Sequence, residues 1–117
     1  MREIAKWPRK FQVWQYAVSH SVLLLRSYHP QQYETRIDIA FSDVSLMKLK
    51  SSFDSLSVHQ ADPEEASEIL ADNFPSYGFL YLLNDGEGYV HAANCSWHED
   101  HGHHKTPSHF GPLRGTD

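Results

Sequence analysis

Five histidines, His98, His101, His103, His104 and His109, crowd the C-terminal end of the chain, with Cys95 just ahead of them and Glu99 and Asp100 among them. Imidazole, thiolate and carboxylate all ligate zinc, nickel or copper, and the spacing Cys-x2-His-x2-His-x-His-His can bring several donors to one point. His98, His101, His103 and His104 are therefore candidate ligands for a divalent transition metal. Structural zinc sites usually draw paired ligands from two segments, whereas here every donor lies in one polar run with no second cysteine. Ordering that run costs roughly 1–2 kcal/mol of backbone entropy per residue, which metal binding has to offset. A solvated tail that picks up metal adventitiously is the simpler reading of a His-rich tract.

Other residues carry the types of a catalytic site without its spacing. His91 and Cys95 fall on one face of an expected strand, but four strand residues hold them about 13 Å apart, beyond the reach of a nucleophile and its base. Ser19, His20 and Asp38 supply hydrolytic residue types, yet no Gly-x-Ser-x-Gly elbow surrounds Ser19 or Ser21. No catalytic residue is nominated. Asp38 stands between Ile37 and Ile39 with Arg26 and Arg36 nearby, which suits an ion pair across strands. Trp14, Tyr16, Arg26 and Asp38 combine aromatic walls with charge and are the candidate pocket of the sheet. The turn at 84–88 lacks the Lys-Ser/Thr ending of a phosphate loop, and the acids at 62–68 lack the spacing of a calcium loop.

Charge is distributed unevenly. The net charge is -5, but residues 1–50 hold eight Lys or Arg against four acids, and residues 51–104 hold ten acids and no Lys or Arg. If the two segments occupy different faces, the acidic one repels nucleic acid and attracts a basic protein. The longest apolar run, Phe79 to Leu83, is far too short for a membrane helix, and Met1 to Pro8 lacks the pattern of a secretory signal. Together with a single cysteine, this gives the expectation of a cytoplasmic protein with no membrane or nucleic-acid partner.

These residues need a scaffold, and the sequence describes one. Phe11 to Ala17 and Val22 to Ser27 read as a hairpin of two strands, the second apolar on both parities as if covered on both faces. Thr35 to Phe41 alternates strictly, Val44 to Leu49 alternates again, and a short strand follows at about 56–60. Asp62 then precedes Pro63, with Glu65 three positions after it, the signature of a capped helix start at 63–72. Ala66, Ile69 and Leu70 fall on one side of that helix, and Asn73-Phe74-Pro75 ends it. Gly78 to Leu83 and Tyr89 to Trp97 flank a turn rich in Asn, Asp and Gly and read as a second hairpin. Tyr28, Tyr33 and Tyr77 stand beside turns.

The expected fold is α+β: a mainly antiparallel meandering sheet of about six or seven strands, open or curled toward a barrel, packed on one short helix. Residues 1–97 form the domain and 98–117 a flexible His-rich tail. A chain of 117 residues buries one core. The expected function is a small non-enzymatic protein-interaction domain that uses an acidic surface or the sheet rim. An immunity-like protein that neutralises a basic partner is one version of it, and homo-oligomers are compatible with it. The alternative is a metal- or small-ligand-binding module built on the His-rich segment.

Overall fold

Alternating apolar residues form most of the strands, and two of the faces they create bury each other. The computed structural model describes residues 1–71, 77–103 and 105–110. In chain order the elements are β1 (Arg2–Trp7), β2 (Phe11–Ala17), β3 (Val22–Ser27), β4 (Arg36–Ser42), β5 (Leu46–Lys48), β6 (Ser52–Phe53), β7 (Leu56–Gln60), α1 (Pro63–Leu70), β8 (Phe79–Leu83), β9 (Gly88–Ala92) and β10 (Asn94–Asp100). The strands pair antiparallel in two five-stranded sheets, ordered β1-β7-β8-β9-β5 and β10-β4-β3-β2-β6. An α+β fold dominated by antiparallel sheet with one short helix is thus observed. Among the described residues the strands are ten instead of six or seven, and they form two open sheets rather than a barrel.

The core lies between the sheets. Leu23, Leu25, Ile37, Ile39 and Phe41 of the second sheet meet Leu56, Val58, Tyr81, Leu83 and Val90 of the first, and all of them are buried. Full burial of each such side chain contributes roughly 1.5–3 kcal/mol, so this interface is the main source of stability. The opposite face of the first sheet, through Leu80 and Leu82, packs on Ala66 and Leu70 of α1. Asp62 caps the helix: its side chain accepts from the Glu65 N–H while the Glu65 carboxylate accepts from the Asp62 N–H. Ile69, expected on the buried side, is 43 % exposed, because only two helix positions reach the sheet. The end expected at residue 72 and the stop signal at 73–75 lie outside the described residues.

Three local departures matter for the surface. Residues 2–7, expected as an irregular lead-in, form an edge strand beside β7. The run from Tyr89 to Trp97, expected as one strand, divides near Ala93, so β9 and β10 belong to different sheets. Ala93 N–H bonds to the Ser42 carbonyl at 2.8 Å as the chain crosses over. Beyond residue 97, where the tail was expected to begin, β10 continues through Asp100 and pairs it with Arg36.

Gly78 enters β8 at φ +93°, and a Cβ there would lie 2.8 Å from the Ala92 carbonyl oxygen and 2.9 Å from His91 Cε1. Gly86 also has positive φ, +112°, but open space around it. Gly78→Ala is therefore expected to destabilise the protein by at least about 1–3 kcal/mol, and by more than Gly86→Ala. Urea unfolding midpoints of the two variants check this; equal midpoints would remove the steric argument.

Candidate functional site

The outer face of the second sheet carries charge where a half-exposed sheet usually carries neutral polar groups. Alternation places Arg36, Asp38 and Ala40 of β4 outward, while their neighbours Ile37, Ile39 and Phe41 fill the core. Register brings Arg26 of β3 opposite Asp38 on one side and His98 of β10 opposite it on the other. Arg26 donates through Nε to Asp38 Oδ1 at 2.6 Å and through Nη2 to Oδ2 at 3.0 Å. Both residues are buried, at 3 % and 2 % exposure. The expected cross-strand ion pair is present.

What buries this pair is the segment after β10. Ser108 donates to Asp38 Oδ2 at 2.7 Å, and Phe110 packs on the small apolar cluster of Ala17, Leu24 and Ala40. The clamp on this segment is Arg36, 1 % exposed. Its guanidinium binds both oxygens of Asp100, at 3.0 and 2.8 Å, and donates to the carbonyls of His103, Thr106 and Pro107. Gly102 fits where a Cβ would meet Arg36 Nη2 at 2.7 Å, and its N–H bonds to Asp100 at 2.9 Å. Bonding to Arg36 holds the Asp100 carboxyl below its ordinary value, and the same bond raises the guanidinium's.

The four residues of the expected pocket are only partly united. Trp14, Arg26 and Asp38 share the outer face, with the Arg26 guanidinium 4.7 Å from the centre of the Trp14 ring. Tyr16 does not join them. The β2–β3 register slips between Val13 and Gln15, so Trp14 is an extra residue and every later position changes face. Tyr16 pairs opposite Leu23 and packs against the core instead. Asp38 accepts three hydrogen bonds and works as an architectural anion, with its lone pairs engaged by Arg26 and Ser108.

Three of the four candidate metal ligands lie among the described residues, and these three form no common cluster. His98 stacks on His109 with ring centres 3.9 Å apart, and its Nε2 lies 4.0 Å from Asp100. His103 Nδ1 accepts the Lys105 N–H at 3.1 Å, His101 is exposed, and His104 lies outside the described residues. Among the described residues no three His, Cys, Asp or Glu side chains converge on one point. Cys95 pairs opposite Phe41 in β10, and burial pushes its thiol up to about 12, which leaves it an unreactive core neighbour. His20 is exposed in the β2–β3 turn, at the far end of β3 from Asp38.

Two features were not legible as sites. His91 is buried in β9, its Nδ1 2.7 Å from Ser45 Oγ, and burial lowers its proton affinity. Ser45 also donates its backbone N–H to the His91 carbonyl at 2.9 Å, so the contact ties the start of β5 to β9. His91 borders a cavity of about 520 Å³ walled by Ala61, Ala66, Phe79 and Leu80. The second feature is a rim at which β1 and β10, edge strands of different sheets, are linked through one ring contact. Trp7 and Trp97 meet there edge to face at 5.5 Å, and Trp7 continues inward to Phe11 at 5.3 Å. An apolar residue in an expected lead-in was the sequence signal for that rim.

No protein-family model matches the chain, and neither does any curated protein or solved structure. The functional reading therefore rests on the geometry alone.

Arg36→Met leaves Asp100 and three carbonyls without their donor and is expected to cost about 3–5 kcal/mol, with faster amide exchange at Gly102 and Thr106. Unchanged exchange would show that Arg36 does not hold the segment. Because the folded Asp100 carboxyl titrates below its unfolded value, its stabilisation is complete above that value and disappears as pH falls through the folded one. Acid unfolding should accordingly be shallower in Asp100→Asn than in the parent protein.

Proposed function

We propose that this chain is a non-enzymatic protein-interaction domain that receives an extended segment of its partner along the β10 rim. The observation that carries the reading is Trp97. It is 42 % exposed in the middle of a seven-residue strand that, among the described residues, pairs on one side only, with β4. An open edge of that length presents unpaired N–H and C=O groups that an extended segment can satisfy, as in strand addition to a sheet. A half-exposed indole already packed on Trp7 supplies a rigid anchor, of the kind that dominates binding energy at interfaces.

The acidic surface becomes a secondary contributor in this reading. Arg9 pairs with Glu99, Arg36 with Asp100 and Lys50 with Glu87, so basic residues of the first half neutralise acids of the second. Asp62 and Glu65 cap α1, which leaves Glu64 and Glu68 on its exposed face. With the net charge of -5 these give long-range attraction to a basic partner without specifying where it docks.

Panning a phage-displayed random peptide library on the immobilised full chain tests the reading. Selected peptides are expected to bind Trp97→Ala at least about 30-fold more weakly, the effect of a hot spot of about 2 kcal/mol. A Glu64→Gln/Glu68→Gln variant should change only the salt dependence. Peptides that bind Trp97→Ala and the parent equally, with the variant's circular dichroism unchanged, would sink the rim as the docking surface.

A further inference from the structure

Arg26 has a second neighbourhood besides Asp38. At the end of the second sheet, β2 and β3 and the loop that follows β3 enclose a cleft of about 90 Å³. Its floor is Gln12 and Arg26, opposite each other in the β2–β3 register. Lys10 stands at the entrance to β2. The loop supplies the wall, with Tyr28, His29, Gln32 and Tyr33.

Each of these side chains carries a hydrogen-bond donor, and none of the described lining residues is a carboxylate. The larger cavity beside His91 differs, since Asp62 lines it and its walls are mainly apolar. From this chemistry and size we propose that the Lys10–Arg26 cleft binds one small oxyanion, a single carboxylate or phosphate group. The cleft is small, about 90 Å³ against about 520 Å³ for the cavity beside His91, which suits one such group.

The donors are held before any ligand arrives. Asp38 fixes the Arg26 guanidinium through two bonds, and the Trp14 ring lies against it. Fixed donors of this kind lose little entropy on binding. Tyr33 is set by the Lys10 N–H, which its hydroxyl accepts at 3.2 Å, and by Arg9, whose guanidinium lies 4.1 Å from its ring centre. Arg9 is itself tied to Ser27 and Thr35, the residues that bracket the loop. The loop turns tightly because the Gln32 and Tyr33 N–H groups both reach the His29 carbonyl. His29 Nδ1 accepts the Gln31 N–H at 3.2 Å, so in the neutral ring the proton sits on Nε2, which makes that nitrogen a donor. Asp38 balances the charge of Arg26, and Lys10 adds the positive charge that favours an anion over a neutral ligand.

Titration of the 15N-labelled full chain with sodium phosphate, and separately with sodium acetate, at an ionic strength held constant with sodium chloride tests the site. Saturable shifts of the Lys10, Gln12, Gln32 and Tyr33 amides are expected with at least one anion, with a Kd on the order of 1 mM. Saturation by phosphate alone assigns a phosphate group, and saturation by acetate assigns a carboxylate. Lys10→Ala and the exposed-loop variant Gln32→Ala should each weaken binding about threefold or more, and Lys10→Arg should restore it. Shifts that sodium chloride reproduces, that never saturate, or that persist unchanged in well-dispersed spectra of both alanine variants overturn the proposal.

Discussion

Strand β4 is buried on both faces, and one of those faces is charged. That constraint shapes the second half of the molecule. A buried carboxylate or guanidinium costs several kcal/mol unless it is paired and its remaining hydrogen-bonding positions are filled. Arg26 alone does not fill those of Asp38, and Asp100 alone does not fill those of Arg36. The segment 101–110 completes both sets, with Ser108 on Asp38 and three carbonyls on Arg36. A polar stretch with almost no apolar residues thereby acquires a fixed course across a sheet. Its attachment is directional and electrostatic, with Phe110 as its one large apolar contact on the small cluster beneath.

This explains why some of the fold was legible in the sequence and some was not. Period-two alternation exposes β3, β4 and β8 directly, because their burial repeats every second residue or covers both faces. The capped start of α1 is equally local, since Asp62, Pro63 and Glu65 make their contacts with each other. Misreadings occurred where a long-range partner decides the outcome. Residues 2–7 have little apolar periodicity and become a strand because β7 offers an edge. The extra residue at Trp14 leaves no mark in composition, yet it moves Tyr16 from the charged face to the core. The crossing at Ala93 is likewise silent, because Ala92, Ala93 and Asn94 continue an acceptable strand pattern.

The charge asymmetry followed the same logic. Counting residues along the chain suggested two electrically opposite surfaces. Antiparallel pairing instead sets the early strands beside the late ones, so β10 lies against β4 and its acids meet arginines from the first half. Ion pairs of Arg9, Arg36 and Lys50 with acids of the second half join the two halves and cancel part of the separation. In the proposed function, specific recognition comes from shape and unpaired backbone at the Trp97 rim more than from the acids of α1.

The rim, the clamped segment and the Lys10–Arg26 cleft also share a mechanical link. Asp38 binds the segment through Ser108 and fixes Arg26 on the floor of the cleft, so a single carboxylate touches both. Arg9 connects the cleft wall at Tyr33 to Glu99 on β10, two residues from Trp97. A change in the loop at 28–35 therefore bears on the edge strand through the Arg9 guanidinium and through Thr35, whose hydroxyl donates to Glu99, with no apolar repacking required. Because ionic contacts are short-ranged in a screened solvent, this coupling depends on Arg9 keeping its hold on Ser27 and Thr35. The residues that prearrange the cleft are in this way the ones that fix the end of β10 against which a partner strand would align.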